Sequence, residues 1–156
     1  MEYDMFAVKP VSFLQLKLIY PAFEPKIKKE KDEVFIFDRI RKNWFVLTPE
    51  EWVRQHLVNF LIEEKKIPAS RISLEKEIMF NGMKRRYDVV IFDASLKPFL
   101  VAECKAPYIS LEEKTLDQVL RYNKELKAPY YLISNGISEI LFSDSGKISW
   151  DAVHVI

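Results

Sequence analysis

The chain has little of three residue types that usually mark a protein's class: one cysteine, two histidines and three glycines among 156 residues. A lone cysteine excludes an intramolecular disulfide and suits a reducing compartment. Neither histidine has metal-ligand spacing with that cysteine, which argues against a zinc site. With so few glycines, no low-complexity tract and no internal repeat, there is little room for a linker or a disordered stretch. Charge of one sign is also missing: Lys and Arg number 24 against 23 Asp and Glu, a net +1. The total charge therefore neither favours nor disfavours a polyanionic partner. The N-terminus opens with Glu2 and Asp4 and has no basic segment leading into a long apolar run. No secretion signal or membrane span is expected, and a cytoplasmic location is. What the chain does have is 49% hydrophobic residues, enough to bury one sizeable core. A single domain over residues 1–156 is expected, with residues 1–47 a β-rich extension and residues 48–145 the core.

The strongest chemical signal is Asp88, followed fifteen residues later by Glu103-Cys104-Lys105. Residues 99–105 form an apolar run of strand length, and side chains two apart on a strand share a face. Glu103 and Lys105 then point the same way as Val101, while Leu100, Ala102 and Cys104 enter the opposite layer. Residues 86–93 read as the preceding strand, with the turn at Lys97-Pro98. If Asp88 lies beside Glu103 across this hairpin, two carboxylates converge as ligands for a hard cation such as Mg²⁺, with Mn²⁺ as a substitute. Lys105 then stands where an ammonium can orient a water or offset charge during attack at phosphorus. Cys104 points away from this face, so it reads as a packed core thiol and not as a nucleophile partnered by His56 or His154.

Two helices flank these strands. Thr48 is a good N-cap, Pro49 fits the first helical position, and Val53, Leu57, Phe60 and Leu61 recur at helical spacing. The second helix spans residues 110–126, with Ser110 and Glu113 as a capping box and Leu116, Val119, Leu120 and Asn123 as the inward stripe. Gln118 and Tyr122, four apart, lie on one face beside that stripe. Strands are expected at residues 11–20, 34–38, 44–47, 72–80, 130–134 and 140–143. Residues 72–80 alternate through Ile72, Leu74, Ile78 and Phe80, and pair through Asn81-Gly82 with the Asp88 strand. The core order is α-β-β-β-α-β-β: an α/β (α+β) fold with a mixed sheet flanked by helices.

These pieces resemble the PD-(D/E)xK nuclease superfamily, with Tyr87 where that pattern has proline. The stretches around Thr48-Pro49-Glu50-Glu51, Asp88, Glu103-Cys104-Lys105-Ala106-Pro107, Gln118 to Tyr122 and Ser134-Asn135-Gly136 resemble the N-terminal domain of the type I restriction enzyme R subunit. The small stand-alone bacterial proteins carrying only that domain are closer still. The resemblance covers about residues 34–145. It implies a restriction-endonuclease-like core and an Mg²⁺-dependent endonuclease acting on DNA, with Asp88 and Glu103 as metal ligands and Lys105 as the catalytic lysine. It also implies a helix glutamate facing the metal, Glu51 or else Glu50, and the main-chain carbonyl of Cys104 as a further ligand. Gln118 and Tyr122 match the QxxxY motif of RecB-like and type I restriction nucleases, which supports the site and contacts nucleic acid. No Walker A motif is present and a helicase motor could not fit, so translocation by this chain alone is excluded.

Each feature also has a plainer reading. Thr48 and Glu51 are spaced as a capping box, which by itself explains an acid there. Lys84, Arg85 and Arg86 lead into Asp88 and could contact backbone phosphates, or could be solvated charge beside a turn. Lys26, Lys28, Lys29 and Lys31 crowd a hairpin-like stretch, and Arg39, Arg41 and Lys42 precede the first helix. The alternative function is a non-catalytic DNA-binding or accessory module of a restriction or repair system, working with a separate motor or specificity protein. A third reading treats Glu103 and Lys105 as an ordinary surface pair.

Overall fold

Thr48 begins the helix as expected: its Oγ1 accepts the Glu51 N–H at 3.1 Å. Pro49 follows at the first helical position, and α1 runs from Pro49 to Glu63. The computed structural model describes residues 13–154. Ahead of α1 lies an antiparallel meander of β1 (Ile27–Glu30), β2 (Glu33–Asp38) and β3 (Asn43–Val46). After it come β4 (Ile72–Phe80), β5 (Met83–Phe92), β6 (Pro98–Cys104), α2 (Glu113–Leu126), β7 (Tyr130–Ser134), β8 (Glu139–Ser143) and β9 (Gly146–Ile148).

The last six strands form one sheet in chain order. Every neighbouring pair is antiparallel except β6 and β7, which α2 joins as a parallel crossover. The expected α-β-β-β-α-β-β order is present, extended by β9, and the chain has a mixed α+β fold with a restriction-endonuclease-like core. Among the described residues no helix is long and apolar enough to cross a membrane.

Strand alternation divides the core into two layers. Val89, Ile91, Leu100, Ala102 and Cys104 pack with Val53, Leu57 and Leu61 of α1. Val90, Val101, Tyr131 and Ile133 pack with Val119 under α2. Val53, Leu57 and Leu61 have no exposed surface, and fully burying each such side chain is worth about 1.5–3 kcal/mol. A third cluster, with Ile36, Leu47, Trp52, Phe13 and Leu18, fastens the meander to the outer side of α1.

Four expectations need correction. Phe13 and Leu14 are helical and the chain then runs without strand to Tyr20, so the strand at residues 11–20 is not formed; residues 11 and 12 lie outside the described residues. This segment lies over the β7–β8 turn, where the Ile19 N–H meets Gly136 O at 2.8 Å. Its apolar residues are buried as separate anchors, with Phe13 and Leu18 against Ile36 and Trp52 and Tyr20 in the layer under α1. Gly136 permits the approach: its φ is +80°, and a Cβ there would stand 3.0 Å from Leu18 Cδ2 and 3.1 Å from Val53 Cγ2. The second helix starts at Glu113 with Glu112 as N-cap, so Ser110 is outside it and no Ser110–Glu113 capping box exists. Leu120 is 38% exposed, leaving Val119 and Asn123 as the buried part of the stripe.

The fourth correction shapes the site. Leu74 belongs to the layer under α1 but Ile78 packs under α2, so residues 72–80 do not keep one face. The same exchange occurs on the partner strand, where Val89 lies under α1 and Tyr87 under α2. Both strands swap faces at one rung, the Glu75–Asp88 position between the pairs Leu74–Val89 and Lys76–Tyr87. Glu75 has φ +55°, a left-handed conformation that turns the strand over and that a non-glycine residue adopts at a cost.

Candidate active site

Asp88 sits at a fork. Pairing of β5 with β6 proceeds from Phe92–Pro98 to Val89–Ala102 and stops, although the same register would set Asp88 opposite Glu103. Beyond that point β5 stays with β4, and β6 stays with β7 through Glu103–Ile133 and Cys104–Ser134. In place of the lost rung, the Cys104 N–H donates to Asp88 Oδ2 at 2.8 Å. The Asp88 and Glu103 carboxyl groups are close enough at the fork to act directly on each other. Glu103 is pushed up to about 9, first by burial and then by the negative charge of Asp88, against a smaller opposing effect of Lys105. Lys105 lies one residue beyond the end of β6, its N–H donating to Ser134 O at 2.8 Å.

Facing the fork from α1 is a cleft of about 180 Å³, bordered by Glu50, Glu51 and Arg54 on the helix and by Glu75, Asp88 and Cys104 on the sheet. Glu51 is only 5% exposed and is turned inward. Its Oε1 accepts from Arg41 Nη2 at 2.7 Å and Gln55 Nε2 at 2.9 Å, and its Oε2 is bound by Arg54. Arg54 also binds Glu75 and stands 3.9 Å from Asp88 Oδ1. Burial works against the Arg54 charge, but the carboxylates of Glu51 and Glu75 outweigh it and raise its pKa. Arg41 is itself fixed by the fully buried Asp38, whose Oδ2 takes Arg41 Nε at 2.6 Å and Gln55 Nε2 at 3.0 Å. The meander thus reaches the cleft through Asp38 and Arg41.

Of the residues singled out in the sequence, the structure brings Asp88 and Glu103 together and sets Glu51 and Glu50 on the adjoining cleft. Lys84 and Arg86 are exposed on β5 leading to Asp88, with Arg85 between them half-buried; Arg86 Nε lies 2.8 Å from Glu75 Oε2. Gln118 and Tyr122 are on α2, and their side chains lie outside what the structure describes. Burial raises the Cys104 thiol well above its ordinary value, in keeping with a core thiol. His56 is buried too, its Nδ1 2.8 Å from Trp52 O, and burial lowers its pKa.

Sequence reasoning missed Glu75, Arg54 and Asp38, and noted Arg41 only within the basic cluster ahead of the first helix. The signals for two of them were faint: Arg54 is three residues after Glu51 on one helix face, and Lys76 interrupts the apolar alternation beside Glu75. A larger groove of about 670 Å³ runs beside α2, bordered by Leu120, Tyr131 and Phe142, but the acids of the fork do not line it. Among the described residues no three His, Cys, Asp or Glu side chains are arranged to hold a metal ion. The donor chemistry at the fork nevertheless fits a hard cation: two carboxyl groups meet there, and Mg²⁺ takes one or two carboxylates and keeps several waters.

An α+β sheet that forks at paired acids, with a lysine just past the second, defines a restriction-endonuclease-like nuclease domain. The sequence profile of the type I restriction enzyme R protein N terminus (HSDR_N) matches residues 49–156, and the chain belongs to that family. No curated protein matches the sequence. Among solved structures, a candidate nuclease of the DUF820 group from Anabaena variabilis ATCC 29413 is 13% identical with a TM-score of 0.38, covering 86% of this chain and 84% of its own. An overlap that loose bears on neither the fold nor the chemistry.

Proposed function

We propose that this domain is a metal-dependent endonuclease that hydrolyses DNA phosphodiesters at the Asp88–Glu103 fork. The observation that carries the reading is the carboxyl pair at the point where β5 and β6 part, with Lys105 next along the chain. Held by Asp88 and Glu103, with the Cys104 carbonyl as a third oxygen, Mg²⁺ or Mn²⁺ would supply Lewis acidity at the phosphate and lower the pKa of water there. Lys105 orients the attacking water and offsets charge that develops on the phosphate oxygens. Glu51 already accepts bonds from Arg41, Arg54 and Gln55. Its role is therefore to position Arg54 beside Asp88, a narrower task than ligand or base. Lys84, Arg85 and Arg86 meet backbone phosphates along β5, and Gln118 and Tyr122 support the site from α2.

The test is cleavage of supercoiled and linear DNA by purified protein with Mg²⁺ or Mn²⁺, alongside Lys105→Ala. Wild type is expected to nick or degrade DNA, and the variant to lose about 10²–10³-fold in rate while keeping its fold. Wild-type rates in Lys105→Ala would place the activity elsewhere. An inactive wild type, across metals and DNA forms, would favour an accessory module that needs a motor or specificity partner.

A further inference from the structure

The meander lies ahead of the family match, and only one of its faces is used by the fold. On β2, Ile36 and Asp38 point inward and are fully buried, so Phe35 and Phe37 point outward. The register sets Phe35 between Lys28 and Val46, and Phe37 beside Trp44. Phe37 and Trp44 meet edge to face at 5.3 Å. Lysines lie over these rings: Lys28 Nζ is 4.7 Å from the Trp44 centroid and 5.7 Å from Phe35, and Lys26 Nζ is 5.6 Å from Phe37. Phe35, Phe37 and Trp44 are half-buried on this plate, and Val46 beside them is 45% exposed.

We propose that this outer face binds single-stranded DNA. Aromatic surface accepts unpaired bases, and the lysines that now lie over the rings accept phosphates when a strand takes their place, which is the pairing of surfaces a single strand needs. Phe35 and Phe37 are two residues apart on one strand, about 6.7 Å, a spacing an unstacked strand can follow. A duplex keeps its base faces stacked and offers this plate only backbone. Glu30 binds Lys28 at 2.6 Å, so the charge offered to a phosphate comes chiefly from Lys26 beside Phe37. The choice of DNA over RNA follows the substrate class of the proposed endonuclease, and competition by oligo-rU tests it. The binding does not depend on the fork being catalytic.

The experiment is fluorescence anisotropy of a labelled oligo-dT of about 12 nucleotides. It is run in EDTA, so that loss of binding here and loss of cleavage at the fork are separate results. Phe37→Ala/Trp44→Ala is expected to bind at least about tenfold more weakly, and Trp44→Phe to stay near wild type. Lys26→Ser/Lys28→Ser should lower the slope of log affinity against log salt by about 1.4. Should the alanine pair fail to fold by circular dichroism, the lysine pair decides. Unchanged affinity and salt slope in folded variants would overturn the proposal, as would equal competition by duplex DNA or by oligo-rU.

Discussion

Removing Arg54 tests whether the cleft is organised as described. Its side chain is 9% exposed and joins Glu51 of α1 to Glu75 of β4, with Asp88 at 3.9 Å. In Arg54→Met the hydrocarbon stem survives and the guanidinium does not. Breaking a buried pair by deleting one partner commonly costs about 3–5 kcal/mol. Here the low end applies, because Glu51 keeps Arg41 at 2.7 Å and Glu75 keeps Arg86 at 2.8 Å. About 3 kcal/mol in a domain of this size corresponds to a fall in Tm of about 6–12 °C, read by circular dichroism. The double-mutant cycle with Glu51→Gln should show a coupling of at least about 1 kcal/mol. A fall of under about 2 °C with no coupling would refute the reasoning, and would mean that Glu51 is free to turn into the cleft.

Two further outcomes concern the fork and the turned-over rung. Glu103 is raised from an ordinary 4.5 to about 9, so the folded state binds its proton more tightly than the unfolded state does. In EDTA this contribution to stability is complete below about pH 4.5 and is lost as pH rises through about 9. Urea midpoints should fall across that window in wild type and less in Glu103→Gln; equal slopes would contradict the buried proton. At Glu75, with φ +55°, glycine should be more stable than alanine by about 1 kcal/mol in urea unfolding, the reverse of the usual order in a strand. Alanine equal to or better than glycine would remove the left-handed turn from the account.

How far the sequence could be read depended on what each element touches. β6 is central and covered on both faces, so plain alternation placed Val101 and Leu100 in opposite layers and Cys104 away from α2, as observed. The Asn81-Gly82 hairpin was legible because both residues have positive φ, at 46° and 76°, which that dipeptide favours. The face exchange on β4 and β5 was not legible. Each half of residues 72–80 alternates properly, and a glutamate with positive φ carries no sign in composition. The ion pairs around Glu51 were hidden for a different reason: Arg41 reaches it only because Asp38, at the end of β2, holds it there. Residues 13–20 misled because apolar residues at short intervals serve a wrapping segment as well as a strand.

The central claim is that Asp88 and Glu103 form the cation site on which the chemistry depends. Calorimetric titration with Mn²⁺ tests it most directly, with wild type, Asp88→Asn and Lys105→Ala side by side. Wild type and Lys105→Ala are expected to bind the ion with similar affinity, and Asp88→Asn to lose it. Binding that survives Asp88→Asn unchanged, or no binding by the wild type, would contradict the account.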